Sequence, residues 1–196
     1  MARVKLTDEQ KTMVRELPPR EKDKLLLRLI AKDPMLLEQL TFQHLEHGQT
    51  TDERHDELMA YIHDSLDGGI GYSPGELMMA MRRVSGYVTR HVRVTKDKLS
   101  EVVLITEMLH YGLDEHLPRL RKRYRNYDRW HKMAMYVTKR VPTLLRKADK
   151  LHPDLWMEVE GKLNELLVII WDTPELSGEA ERQGLPRQWT AGESEA

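Results

Sequence analysis

The chain has 196 residues, 40% of them hydrophobic and 32% charged, with a formal net charge of −1, and this length fits one compact soluble domain. It contains no cysteine, which excludes disulfides, thiolate metal sites and cysteine nucleophiles and makes the reducing cytoplasm the expected location. Because the amino terminus has no apolar signal core and the longest apolar run, LLVII, spans only residues 166–170, far fewer than the roughly 20 residues that cross a bilayer, we expect neither export nor a membrane span.

The residue types favour helices over strands. Leucine and methionine are abundant, with 11 methionines, whereas there is a single phenylalanine, and this balance is typical of helix formers rather than of sheets. Prolines, glycines and capping residues divide the chain into about seven or eight helical segments. We therefore predict an all-α domain over residues 1–176, either an irregular helical bundle or a short HEAT-like stack.

The first clear pattern is a helical hairpin over residues 18–48, PPREKDKLLLRLIAKDPMLLEQLTFQHLEHG. One helix is predicted over about residues 20–32. Asp33 can then cap a second helix with Pro34 in its first position, and this helix ends at Gly48. Two leucine-rich stripes are expected to bury each other as a stable core, formed by Leu25, Leu26, Leu29 and Ile30 on the first helix and by Leu36, Leu37, Leu40 and Leu45 on the second.

This hairpin, with Asp-Pro at its turn, resembles one unit of the HEAT and armadillo helical-repeat families. In those families, helix pairs stack into a curved surface that binds partners. The resemblance covers about 30 residues and implies a partner-binding stack rather than an enzyme. No repeat of the unit is evident elsewhere in the sequence.

A third helix is predicted after Thr51, and acidic residues crowd its first turns. Two explanations stay open for these acids. They can complement the positive end of the helix dipole. They also resemble in part the magnesium-binding pairs of the all-helical nucleoside-triphosphate pyrophosphohydrolases, although the Glu-x-x-Glu element of that family is missing from this sequence. The acids concerned are Asp52, Glu53, Asp56 and Glu57.

Glycines and prolines separate this helix from the rest of the chain. The stretch GGIGYSPGE at residues 68–76 lacks the Gly-Lys-Ser/Thr ending of a phosphate loop, so we interpret it as a connector. Further helices are predicted from Ser73, from Asp97 to near Gly112, after Pro118, and from Pro153 to just before Pro174.

One Glu-x-x-His pair, Glu107 and His110, places two metal-ligand types on one side of a helical turn. Di-iron bundles use two such pairs and two further glutamates, all pointing inward. With 9 histidines and 32 acidic residues in the chain, single pairs arise by chance. We therefore predict no metal and no cofactor, and Glu53, Asp56, Glu57, Glu107 and His110 are kept as candidate ligands.

Charge is distributed unevenly towards the carboxyl terminus. Residues 118–150 contain twelve Lys and Arg against two acids, whereas residues 151–196 contain ten acids against three bases. At about 100° per residue, a helix through the basic segment would place Tyr124, Tyr127 and Trp130 on an apolar side and the cations on the other. Pro142 is expected to kink or break this helix.

The cationic side of this predicted helix is the candidate binding site. We predict a non-catalytic adaptor that engages a protein or an anionic partner there. Alternatives are nucleic-acid binding without sequence reading, since aromatic side chains would not share the cationic side, and a metal-dependent nucleotide pyrophosphohydrolase. The acidic segment could instead fold back and pair with the cations. The predicted contact residues are Arg121, Arg125, Arg129, Lys132 and Lys139.

The carboxyl-terminal residues 177–196 are polar and rich in glycine, without apolar periodicity. Such a composition predicts a mobile tail. Trp189 is its exception, and this side chain either docks on the body or on a partner, or stays exposed to solvent.

Overall fold

The structure, a computed structural model, describes residues 5–67, 72–124 and 127–191. Over these ranges the fold is all-α, with nine α-helices and no strand, which confirms the predicted fold class. The chain divides into two compact units, residues 1–48 and 49–196, where we predicted one domain over residues 1–176. In the described ranges, no helix combines the length and the apolar character needed to cross a membrane.

The amino-terminal unit consists of three short helices. The predicted turn of the hairpin is confirmed, because the Asp33 carboxylate accepts the backbone N–H of Met35 at 3.0 Å and of Leu36 at 3.1 Å, and Pro34 opens the next helix. The predicted end of that helix at Gly48 is wrong, since the α-helix ends at Leu40. The helices are α1 (Asp8–Glu16), α2 (Pro19–Ile30) and α3 (Pro34–Leu40), and a π-helical turn (Thr41–Leu45) follows.

The leucines of this hairpin do not form the stable core that we predicted. Leu26 is 55% exposed, Leu29 51% and Leu45 75%. Within residues 5–48, only Phe42 is buried. The prediction is wrong because three short helices in a unit of this size bury too small a fraction of their apolar surface to enclose both leucine stripes.

The larger unit is built around one long central helix, α6, which packs against α4, α5, α7 and α8. Its side chains Leu104, Met108, Leu109 and Leu113 are fully buried. The helices of this unit are α4 (Thr51–Leu66), α5 (Pro74–Thr95), α6 (Lys98–Arg123), α7 (Tyr127–Ala148), α8 (Trp156–Asp172), which follows a 3-10 turn (Pro153–Leu155), and α9 (Pro174–Arg182).

Several of these helices begin where the sequence predicts. Ser73 and Glu76 form a reciprocal capping box at the start of α5, and the Asp97 carboxylate accepts the backbone N–H of Ser100 at the start of α6. Residues 68–71 of the predicted connector lie outside the described residues. The predicted start at Thr51 is also confirmed, whereas the helix predicted from Pro153 begins as the 3-10 turn and becomes α-helical at Trp156.

The predicted end of a helix near Gly112 and a new start after Pro118 are wrong, since α6 runs through both residues to Arg123. A Cβ atom added at Gly112 would lie 2.5 Å from Met81 Cε, so the glycine allows close packing that offsets its poor helix propensity of about 1 kcal/mol. The side chains of Leu117 and Leu120 are buried in the core, and their packing stabilises the helix on both sides of Pro118. The basic segment is consequently shared between α6 and α7.

Pro142 does not break α7, which continues to Ala148, so of the two expected outcomes, a kink or a break, the break is wrong. A proline inside a helix removes one hydrogen bond and crowds the preceding turn. The fully buried Val141 and the nearly buried Leu144 and Leu145 flank it, and their packing in the core outweighs that local cost.

The carboxyl-terminal segment is folded rather than lacking regular structure, which corrects the predicted tail over residues 177–191. Ser177 lies inside α9, and Trp189 is only 2% exposed. The Trp189 indole N–H donates to Asp149 at 2.9 Å, and its backbone N–H donates to the Asn164 side-chain oxygen at 2.7 Å. Docking on the body, one of the three alternatives for this side chain, is therefore what the structure shows. Ala180 and Leu185 are buried as well, and the large aromatic side chain adds to them the apolar burial that the segment's periodicity did not predict.

The ionisation of Glu179 makes the stability of the carboxyl-terminal segment depend on pH. Its buried carboxylate accepts hydrogen bonds from Gln183 at 2.9 Å and from Arg182 at 3.0 Å, and these bonds lower the pKa of Glu179 against the opposing effect of desolvation. A carboxyl group with a lowered folded-state pKa stabilises the fold above its ordinary pKa and loses that contribution as the pH falls through the lowered pKa.

We therefore expect the Glu179→Gln variant to lose less of its free energy of unfolding than the unmodified chain does when the pH drops from neutral into the acidic range. Urea unfolding at a series of pH values measures this difference. Glu181→Gln, which changes an exposed residue of the same helix, is the control. Identical pH profiles for the Glu179→Gln variant and the unmodified chain would contradict the assignment.

Candidate functional site

The predicted contact residues do not share one helix. Arg121 lies near the end of α6. Its guanidinium is 3.3 Å from the Glu175 carboxylate of α9, but the geometry of this ion pair is not that of a hydrogen bond. Arg125 lies outside the described residues, as does the side chain of Arg129. Lys132 and Lys139 are exposed on α7. A single stripe from Arg121 to Lys139 is therefore wrong, because the helix changes between these residues.

On α7 the predicted placement of Trp130 on the apolar side, opposite Lys132 and Lys139, is confirmed, and the side chain of Tyr127 lies outside the described residues. Trp130 is 1% exposed, and Ala134, Val137 and Val141 are fully buried. At 100° per residue, Lys132, Tyr136, Lys139 and Thr143 fall within an arc of about 60° on the other side. The exposed side of α7 thus presents cations without an exposed tryptophan among them.

Helix α5 adds cations that the sequence analysis missed. The Arg82 guanidinium of α5 lies 5.3 Å from the ring centroid of Tyr136, and the Arg140 guanidinium of α7 lies 4.9 Å from the same centroid. Burial raises the pKa of Tyr136, and the two arginines oppose this effect. The sequence could have indicated these cations, because four arginines recur at helical spacing there: Arg82, Arg83, Arg90 and Arg93. We define the cationic surface as Arg82, Lys132, Lys139, Arg140 and Lys147.

A cleft of about 220 Å³ opens in this surface between α5, α6 and α7. Arg140 donates a hydrogen bond to the Ser85 hydroxyl, and Lys147 forms an ion pair with Glu101. Over the described ranges no acceptor pairs with Lys139. The cleft therefore holds two oriented cations and a third that is available to a ligand. It is lined by Ser85, Val88, Thr89, Glu101, Ile105, Lys139, Arg140, Thr143, Leu144 and Lys147.

The candidate metal ligands Glu107 and His110 contact different side chains. Glu107 lies 2.8 Å from the His63 ring nitrogen, and His110 lies 3.3 Å from the Glu165 carboxylate. The Lys162 ammonium lies 3.7 Å from both carboxylates. A lysine thus takes the position at which two carboxylates converge.

The other candidate ligands stay apart. Glu53, Asp56 and Glu57 are exposed along the first turns of α4, where they complement the helix dipole. Among the residues that the structure describes, no three His, Asp or Glu side chains form a group that could hold a metal ion.

A serine, a histidine and an aspartate meet at the start of α6, which the sequence analysis did not foresee. The Ser100 hydroxyl donates to Asp97 at 2.7 Å and lies 2.8 Å from the His55 ring nitrogen. In a nucleophilic triad, histidine accepts the serine proton and aspartate orients the histidine. Here the aspartate binds the serine itself, so the arrangement is that of a helix cap tied to α4.

No family model matches this chain, and no curated protein or solved structure matches it either. The function is therefore argued from the geometry of the cationic surface.

Proposed function

We propose that this chain is a non-catalytic helical adaptor whose cationic surface holds an acidic segment of a protein partner. The observation that carries the proposal is the joint contribution of α5 and α7 to one surface. Among the residues that the structure describes, Glu101 is the single carboxylate that lines its cleft. Complementary charge guides association and selects partners of opposite sign.

An acidic protein segment suits this surface better than nucleic acid does. The chain has a net charge of −1 and an isoelectric point near 6.8, whereas nucleic-acid-binding domains commonly have isoelectric points above about 9. Stacking on bases needs aromatic faces beside the cations. Trp130 is buried, and the ring of Tyr136 already contacts two guanidinium groups.

The test is the binding of fluorescein-labelled polyglutamate to the full chain, followed by fluorescence anisotropy at low salt. We expect the double variant Lys139→Gln, Arg140→Gln to raise the Kd about tenfold or more, which corresponds to about 1.4 kcal/mol for the two charges together. The matched control is Arg119→Gln, Lys122→Gln, which removes the same charge from exposed residues of α6 and should change the Kd less than about twofold.

Two results would count against the proposal. Equal losses in both double variants would show that net charge alone attracts the probe. A single-stranded oligonucleotide that binds more tightly than polyglutamate, with a steep salt dependence and the same loss on Lys139→Gln, Arg140→Gln, would identify nucleic acid as the partner instead.

A further inference from the structure

The cleft in the cationic surface has features of a group-specific pocket as well as of a charged patch. We infer that it recognises a phosphate monoester carried on the protein partner. This inference rests on the proposed function, because the cleft is part of the same surface.

Arg140 is held in place before any ligand binds. Its guanidinium donates to the Ser85 hydroxyl and lies 4.9 Å from the centroid of the Tyr136 ring. An oriented guanidinium presents its remaining N–H groups as a planar fork, which matches two oxygens of a phosphate. The entropic cost of ordering this side chain is therefore largely met in the free protein.

Hydroxyl groups in the cleft retain hydrogens for a ligand. The Ser85 oxygen accepts from Arg140, and the Thr143 oxygen accepts from Arg146 at 3.3 Å. A hydroxyl has one hydrogen to donate, and an oxygen that is already accepting keeps it available. Thr89 differs, since its hydroxyl donates to the Ser85 carbonyl at 2.8 Å. The cleft thus offers O–H donors beside its N–H donors, and a phosphate has acceptor oxygens for both.

The charge of the cleft distinguishes phosphate from carboxylate. Three lining residues are cationic, Lys139, Arg140 and Lys147, and Glu101 is anionic, so the lining has a net charge of +2. A phosphate monoester carries about −1.5 to −2 at neutral pH and neutralises this lining. A carboxylate carries a single negative charge and leaves one positive charge of the lining uncompensated.

The size of the cleft favours a single group on a larger ligand. Its volume of about 220 Å³ is below the range of about 300 to 1,000 Å³ that is typical of pockets for whole small molecules. A phosphate on a side chain can enter, and the peptide that carries it would then lie along the outer cations Arg82 and Lys132.

The test compares two labelled peptides made of glycine and glutamate. One has a central phosphoserine, and its twin has glutamate at that place. We expect the phosphopeptide to bind the full chain at least about tenfold more tightly. Arg140→Lys, which keeps the charge but loses the planar fork, should remove this preference. Glu101→Gln should raise the affinity for the phosphopeptide by about threefold or more, a gain that misfolding cannot produce.

Each of the following results would overturn part of the inference or all of it. If the twin binds as tightly, while polyglutamate binding still depends on Lys139 and Arg140, the phosphate assignment falls and the proposed function remains. If neither peptide nor polyglutamate binds, both fall. If inorganic phosphate displaces the phosphopeptide at a concentration equal to the peptide's own Kd, the ligand is the free ion. A preference that survives Arg140→Lys, with no gain from Glu101→Gln, places recognition outside this cleft.

Discussion

Replacing Trp189 by alanine lowers the free energy of unfolding by about 3 to 5 kcal/mol, the usual cost of deleting a buried aromatic side chain. Trp189 is 2% exposed, and its indole N–H donates to Asp149. The variant loses apolar burial and leaves a cavity that helices α7 and α8 fill only in part. Urea denaturation followed by helical circular dichroism measures the change.

Two companion variants separate packing from hydrogen bonding at this position. Trp189→Phe keeps most of the aromatic volume but removes the donor to Asp149, whose second carboxylate oxygen is already buried without a partner, so we expect a loss of about 1 to 3 kcal/mol. Met157→Ala changes a side chain that is 88% exposed and should alter stability by less than about 0.5 kcal/mol. A Trp189→Ala variant as stable as Met157→Ala would show that the indole is not seated in the core.

Replacing Gly112 by valine is expected to cost about 2 to 3 kcal/mol, through overpacking at the centre of α6. A Cβ atom there would lie 2.5 Å from Met81 Cε and 3.5 Å from Leu66 Cδ1. Methionine can move its flexible end, so a single added methyl group is tolerated more readily than a β-branched side chain. Thermal unfolding of the variant measures the loss.

The control for Gly112 is Gly161→Val in α8, where an added Cβ meets no atom within 4 Å. Valine at that position should leave stability unchanged or raise it by a few tenths of a kcal/mol, because glycine is the poorer helix former. The double variant Gly112→Val, Met81→Ala should lose less stability than the two single variants lose in sum, since the two side chains compete for one space. Strict additivity of the two changes would contradict a direct clash.

The helix starts could be predicted because their chemistry is local. Asp33, Ser73 and Asp97 each accept a backbone N–H two or three residues further along the chain. The continuity of α6 through Gly112 could not be predicted, since it depends on Met81 of a neighbouring helix. The same limit explains the hairpin leucines, because a periodic stripe predicts an apolar side but does not show whether another surface covers it.

The candidate site, like the fold, could be predicted from the sequence only in part. Helical phase correctly separated buried Trp130 from exposed Lys132 and Lys139. The cleft was not predictable, because Arg140 meets Ser85 across 55 residues of sequence and Lys147 meets Glu101 across 46. Such contacts arise from the packing of α5, α6 and α7, which no local pattern encodes.

The position of Trp189 also bears on the order of folding. This residue follows in the sequence both side chains that bind it, Asp149 and Asn164, and during synthesis it leaves the ribosome after them. Helices that emerge earlier can associate first, but the space beside α7 and α8 stays open until this indole arrives. A nascent or prematurely terminated chain would expose that apolar surface, and chaperones and proteases bind such surfaces.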